Sequence, residues 1–218
     1  MNQVTHARIE AIDILRGLAL ALMLLVNNPG SWSAVYAPFL HADWHGLTPT
    51  DLVFPFFLFV VGASMACSLR GQIKSSGLPV ISVIKRSFLL FLIGFILQII
   101  PFDQAPDSWR IMGVLQRIGL CFLVTAFMIA VIRERWLLLS CIVILVGYWL
   151  LLASAGTSPY SIEHNLVRQL DIAILGSNHI WQGNGLPFDP EGILSTIGAT
   201  ITVVSGYLVC VNVLQQKT

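Results

Sequence analysis

The stretch HADWHGLTPTD (41–51) groups the residues with the clearest capacity for chemistry. His41 and His45 lie four residues apart with Asp43 between them, and Asp51 follows at the start of a long apolar run. Histidine exchanges protons near neutral pH, so an acid–base role is favoured here. A metal ion needs a third or fourth ligand on a fixed scaffold, and the nearby Pro38, Gly46 and Pro49 do not indicate a continuous helix. We therefore predict no metal.

The same residues also have simpler interpretations. Thr48-Pro49-Thr50 is a helix start signal, in which a threonine caps the helix and Asp51 enters its first turn. Asp51 would then complement the helix dipole, and His41 would be a solvated loop histidine. The residue types alone leave both interpretations open.

Charged and amide side chains also lie at both ends of the first apolar run. Asp13 and Arg16 are three residues apart, on one helix face. They form either an ion pair near the cytoplasmic surface or a mouth for an anionic molecule, with Arg16 on its phosphate. Asn27 and Asn28 either cap the end of that helix or begin a turn ahead of Pro29, and an amide here could also bind a carbonyl or sugar hydroxyl.

Two further groups of polar residues flank later apolar runs. Arg110 and Arg117 are two helical turns apart, and Gln116 lies beside the second arginine, so a partner carboxylate or an anionic ligand is expected. Asp189 and Glu191 either cap the last helix or join a polar cluster over a cavity.

These side chains must be positioned by membrane helices. The chain has 218 residues, 56% hydrophobic and only 11% charged, which excludes an ordinary soluble domain. Apolar runs of spanning length predict an all-α, polytopic transmembrane helix bundle of about six spans, near 11–27, 51–69, 82–100, 113–132, 136–155 and 192–212. We predict one integral-membrane domain over 1–218, with free cysteines buried as small apolar groups.

Basic residues alternate between the connections. They crowd the N-terminus with Arg8, residues 70–86, the link 133–135 and the tail with Lys217, whereas the other connections hold only Arg110, Arg117 and Arg168. The positive-inside rule therefore predicts a cytoplasmic N-terminus and outward-facing loops 28–50, 101–112 and 156–191. His41, Asp51, Arg110, Asp189 and Glu191 would then share the outer end of the bundle.

Four segments carry a family resemblance in order along the chain: DILRGLALALMLLVNN, LHADWHGLTPTDLVFPFFLFVVG, RIMGVLQRIG and FDPEGILSTIGA. They resemble transmembrane acyltransferases related to heparan-α-glucosaminide N-acetyltransferase, and most of all bacterial homologues associated with N-acetylglucosamine utilisation. The resemblance implies transfer of an acetyl group from cytoplasmic acetyl-CoA to an amino sugar of glucosamine type on the periplasmic side.

The resemblance also assigns roles to the matching positions. His41, Asp51 and Asn27 match catalytic positions, and Asp13, Arg16, Gln116 and Arg117 are assigned to acetyl-CoA. Arg110, Asp189 and Glu191 are assigned to the substrate. His45 stands where the lysosomal relative carries asparagine, which disfavours a two-histidine metal site.

The resemblance also implies later helices, because family members continue beyond FDPEG, and we expect a C-terminally truncated chain. The alternatives are an amino-sugar permease, whose polar groups would line a transport path, and an inactive fragment that needs a partner chain. The expected setting is the bacterial inner membrane, with the lipid bilayer and the acceptor as partners, no nucleic acid, and a homo-oligomer left open.

Overall fold

The computed structural model describes residues 10–216, apart from the side chain of Asn184, and all regular structure in that range is helical. The α-helices are α1 Glu10–Asn27, α2 Pro49–Ser68, α3 Arg70–Ser76, α4 Val80–Ile99, α5 Val114–Val131, α6 Glu134–Ala153, α7 Leu166–Leu175 and α8 Ile193–Gln216. Short 3-10 helices interrupt the connections. The predicted all-α class is confirmed. Arg8 and Lys217, used in the topology prediction, lie outside the described residues.

In the part of the chain that the structure describes, five helical segments are long and apolar enough to cross a membrane: Pro49–Ser76, Val80–Ile99, Val114–Val131, Glu134–Ala153 and Ile193–Gln216. The sixth predicted segment is also a helix, α1, but it is not among these five. Its 18 residues include Glu10, Asp13 and Arg16, and charge is costly in lipid. The expectation of about six spans is therefore close, with α1 as the exception.

The connection 156–191, predicted as a long polar loop, contains the ten-residue helix α7. Asn165 caps this helix, because its side-chain oxygen accepts a hydrogen bond from the Val167 amide at 2.8 Å. Val167 and Asp171, one helical turn apart, are both buried. The sequence did not predict this short amphipathic helix, because the glycines, prolines and serines on either side of it are typical of loops.

The described helices fall into two compact units: one contains α1, α2, α3 and the part of α8 from residue 202 onwards, and the other contains α4 to α7 and the start of α8. In the first unit, α1 packs along α2, and α2 also packs on the last part of α8. Gly62 on α2 faces the Val203 backbone, and Gly206 on α8 faces the Phe59 backbone. Small residues at both points allow the two backbones to approach closely.

The second unit is organised around α4 and α5, which pack along each other. Gly94 and Gly119 lie at this contact, where a Cβ atom would meet Gln116 and the Ser87 carbonyl respectively. The Gln116 side chain is fully buried and donates to the Gln98 side chain and the Ile111 carbonyl, both at 3.1 Å. Hydrogen bonds and close packing together fix the position at which α5 begins.

Substitution of Gly62 tests the close contact in the first unit. Gly62→Val should lower the free energy of unfolding by about 1–3 kcal/mol, because the new side chain would overlap the Val203 carbonyl. Thermal unfolding in detergent measures the loss. Gly147→Ala is the matched control, since Gly147 lies within α6 with nothing within 4 Å of an added Cβ atom. Equal melting temperatures for Gly62→Val and the wild type would contradict the packing.

Candidate active site

His41 and Asp51 form a hydrogen-bonded pair in the first unit. The distance from His41 Nδ1 to Asp51 Oδ1 is 2.7 Å. The histidine side chain is 58% exposed and the aspartate side chain 23% exposed, so solvent and small molecules can reach the imidazole. An ionised carboxylate accepts a hydrogen bond from Nδ1–H, which leaves the lone pair on Nε2. The pair therefore presents a base or nucleophile at Nε2.

Asp51 is held rigidly because it also closes the amino end of α2. Thr48 is the N-cap, and the Thr48 and Asp51 side chains bond to each other's backbone amides in a capping box. Asp51 Oδ2 accepts from the Thr48 amide at 2.8 Å, the Thr48 hydroxyl at 2.9 Å and the Ala42 amide at 3.3 Å. The helix start predicted from Thr48-Pro49-Thr50 is confirmed. Asp51 serves the helix start and His41 at the same time, because Oδ2 binds the groups at the helix start and Oδ1 binds His41.

The loop before α2 is tied to the same helix end. The Thr50 hydroxyl donates to the Pro38 carbonyl at 3.1 Å, and the 3-10 helix Ala37–Phe39 comes just before His41. His45 is also exposed, but its ring contacts the edge of Trp44. The two histidines thus differ in environment, and His41 has the carboxylate partner. Within residues 10–216, no group of three or more His, Cys, Asp or Glu side chains is arranged to hold a metal ion.

The predicted residues of α1 lie in the same unit. Arg16 and Asp13 form an ion pair within the helix, one of the two alternatives considered, with side chains 47% and 29% exposed. Asn27 is the last residue of α1 and is exposed. The next residue, Asn28, donates to the Leu24 carbonyl at 2.9 Å, so of the two asparagines considered for the C-terminal contact it is Asn28 that makes it.

A second cluster lies in the other unit, where Arg110 meets both predicted carboxylates. Arg110 Nε and Nη2 donate to Asp189 Oδ2 and Oδ1 at 3.0 and 2.7 Å, and Nη2 also donates to Glu191. Asp189 is fully buried, and the Arg110 side chain is 26% exposed. Burial by itself would lower the pKa of Arg110, but the bonds and charges of Asp189 and Glu191 outweigh it and leave the pKa above its usual value.

The two carboxylates are carried by a tight turn, Asp189–Gly192. Asp189 Oδ1 accepts from the Glu191 amide at 3.0 Å, and the Gly192 amide donates to the Asp189 carbonyl at 3.1 Å. Arg117, buried in α5, donates to the Pro190 carbonyl at 2.8 Å and to the Ser195 hydroxyl. Both arginines that were singled out in the sequence thus bind the same short segment.

The suggestion that Asp189 or Glu191 caps the last helix is wrong. α8 begins at Ile193, and its first amide donates to Asp171 Oδ1 of α7 at 2.9 Å. Sequence reasoning missed Asp171, which is completely buried. An aspartate four residues after Val167, on the apolar face of a short helix, was the signal that could have identified it.

Several groups act on the pKa of Asp171. Burial raises it, and the backbone N–H groups of Ile193 and Leu194 lower it. The Asp189 carboxylate raises it and the Arg117 guanidinium lowers it, with a net pKa above the ordinary value of 3.8. Burial therefore outweighs the helix cap.

The structure thus places the predicted residues in separate groups. His41 pairs with Asp51, Asp13 pairs with Arg16, and Arg110 binds Asp189 and Glu191. Arg117 binds the turn that carries these two carboxylates, and Gln116 bonds to Gln98 and the backbone. A shared position at one outer end of the bundle stays a prediction.

The long apolar helices identify a multi-pass membrane protein. The exposed His41–Asp51 pair is a group within it that is able to take part in acid–base chemistry. The model of the family described as heparan-alpha-glucosaminide N-acetyltransferase, catalytic, matches residues 8–173. The chain belongs to this family.

Two curated relatives have similar sequences. The heparan-alpha-glucosaminide N-acetyltransferases of Mus musculus and Homo sapiens are 30% and 31% identical to it, over 91% of this chain. The aligned region is 38% of the mouse protein and 37% of the human one. The chain therefore spans less than two fifths of the length of these relatives.

Removal of the Arg110 guanidinium tests the second cluster. Arg110→Met should lower the free energy of unfolding by about 3 kcal/mol, because the buried Asp189 carboxylate would lose its counter-charge. Arg168→Met is the control, since Arg168 donates to the backbone carbonyls of Pro187 and Glu163, and its loss should be about 1 kcal/mol. Denaturation in detergent measures both values. Equal losses would show that the carboxylates do not depend on Arg110.

The raised pKa of Asp171 predicts a pH dependence of stability. The folded protein holds this proton more tightly than the unfolded chain, so the free energy of unfolding falls as pH rises from about 3.8 towards the folded pKa. Asp171→Asn does not titrate and should remove that part of the slope, although Asp189, Arg117 and Tyr148 still surround the site. Melting temperatures across pH 4 to 8, compared with the exposed Glu163→Gln, measure the change. An unchanged slope in Asp171→Asn would contradict the assignment.

Proposed function

We propose that this chain forms part of a transmembrane N-acetyltransferase that moves an acetyl group from cytoplasmic acetyl-CoA to an amino sugar of glucosamine type across the membrane. Family membership and the His41–Asp51 pair support this proposal, and the pair is the observation that carries it. The N-terminus would be cytoplasmic and the loop with His41 periplasmic, in a bacterial inner membrane.

In the direct route, His41 acts as a general base. Nε2 accepts a proton from the acceptor amine as its nitrogen attacks the thioester carbonyl; the C–S bond then breaks, and Nε2 passes that proton to the sulfur, so CoA leaves as a thiol. The Asp51 carboxylate holds Nδ1–H and stabilises the imidazolium that forms. Asn27, an exposed amide at the end of α1, is proposed to donate to the carbonyl oxygen as negative charge develops on it.

In the two-step route, His41 carries the acetyl group for a time. Nε2 attacks the thioester carbonyl, the C–S bond breaks, and CoA leaves as a thiolate. The amine then attacks the acetyl-imidazole, the C–N bond to histidine breaks, and the released Nε2 takes the proton that the amine loses. Nε2 is free for this attack because Nδ1 is bound to Asp51. This route allows the donor and the acceptor to react in turn from opposite sides of the membrane.

The other assigned residues fit the two substrates unequally. Arg16 is half exposed and has donors beyond the one that binds Asp13, so it can contact a CoA phosphate. Gln116 and Arg117 bind protein atoms, and their assignment to acetyl-CoA depends on the resemblance alone. Arg110, Asp189 and Glu191 bind one another, and Arg117 adds a second positive charge beside the two carboxylates, so their assignment to the amino sugar also depends on the resemblance.

Acetyl transfer in proteoliposomes tests the proposal. The chain is reconstituted with labelled acetyl-CoA on one side and glucosamine on the other, and labelled N-acetylglucosamine is measured. His41→Ala should reduce the rate by about a hundredfold or more. His45→Ala is the matched control, from the same loop without the carboxylate contact, and should keep most of the rate. Full activity in His41→Ala would exclude the assigned role.

The same vesicles separate the alternatives. Uptake of labelled glucosamine without any acetyl donor would favour a permease. A wild-type chain with neither activity would favour a fragment that needs further chain or a partner.

A further inference from the structure

Asp171 connects two elements of the second unit that are far apart in sequence. Its Oδ1 accepts from the Ile193 amide at 2.9 Å, and the Leu194 amide also donates to the carboxylate. Helix caps usually come from the residue just before the helix. Here α7 supplies the cap of α8, so the start of α8 depends on the placement of α7.

The second oxygen of Asp171 faces Gly192. Among the described residues, Asp171 Oδ2 has no hydrogen-bond partner, and it is buried. An added Cβ atom at Gly192 would overlap this oxygen. Gly192 is not among the glycines with positive φ, so the space taken by Asp171, rather than backbone conformation, demands glycine at this position.

Gly192 is also the last residue of the turn that holds Arg110. Its amide donates to the Asp189 carbonyl, and its own carbonyl accepts from the Thr196 amide at 3.2 Å and the Thr196 hydroxyl at 2.7 Å. A displacement of Gly192 would therefore shift Asp189 and Glu191 relative to Arg110.

We propose that Asp171 is a positioning residue: it fixes the Asp189–Gly192 turn and, through it, the two carboxylates that bind Arg110, and its carboxylate requires glycine at position 192. The link from this turn to amino-sugar binding rests on the proposed function, but the coupling of Asp171 to Gly192 does not.

Hydrogen exchange in detergent tests the cap. In Asp171→Ala, the Ile193 amide should exchange on the order of tenfold faster, the change that corresponds to loss of a helix cap. Asp171→Asn keeps an acceptor oxygen and should stay close to the wild type. The Val167 amide, which is held by Asn165, is the internal control and should stay slow in both variants. Equal Ile193 exchange in Asp171→Ala and the wild type, or fast exchange in Asp171→Asn, would overturn the proposal.

A double-mutant cycle tests the steric coupling even where one variant is unstable. Gly192→Ala should lower the melting temperature by several degrees in the wild type, and by less than half as much in Asp171→Ala, because the methyl group then has room. Equal losses in the two backgrounds would overturn the proposal.

The acceptor KM separates this proposal from the function proposed above. A smaller loss from Gly192→Ala in the Asp171→Ala background, together with a raised KM for glucosamine in Asp171→Ala, supports the positioning role and the proposed function. The same smaller loss with an unchanged KM supports the positioning role and contradicts acceptor binding at this turn.

Discussion

Charged side chains are costly at membrane depth, and this constraint shapes both polar clusters of the protein. Only 11% of the 218 residues are charged, and three aspartates near helix ends, Asp51, Asp171 and Asp189, are bound by histidine, a backbone amide and arginine respectively. Asp189 is fully buried and is held by two guanidinium nitrogens of Arg110. Separating the two partners would leave a buried charge without its counter-charge, which costs about 3–5 kcal/mol. The turn and the helices that carry the two side chains are therefore held in position.

Two aspartates, Asp51 and Asp171, cap the amino ends of helices, and they differ in what their second carboxylate oxygen contacts. Asp51 gives one oxygen to the capping box of α2 and the other to His41 Nδ1. Asp171 gives one oxygen to the first amide of α8, while the other faces Gly192 without a hydrogen bond. The first arrangement orients a reactive imidazole, and the second fixes a backbone turn. Secondary structure and site geometry therefore depend on the same carboxylates.

Because Asp51 both caps α2 and binds His41, it fixes the orientation of the imidazole. The imidazole of His41 is positioned relative to α2 by a side chain within the rigid first turn, although His41 itself lies in a loop. A loop residue can thus be as well oriented as a helical one. The proposed acetyl transfer needs this property, because the Nε2 lone pair must point towards a carbonyl carbon in both routes.

The sequence by itself determined the long helices, one helix start and the family. Apolar runs located the long helices, Thr48-Pro49-Thr50 located the start of α2, and the motifs placed the chain in its family. Apolar length and capping chemistry are local properties, so they can be read without a structure. Only the tertiary structure decided the partners. It paired His41 rather than His45 with Asp51, joined Arg110 to carboxylates 79 and 81 residues away, and replaced Asp189 by Asp171 as the cap of α8. These contacts join segments that are distant along the chain, and composition and periodicity contain no information about which distant segments meet.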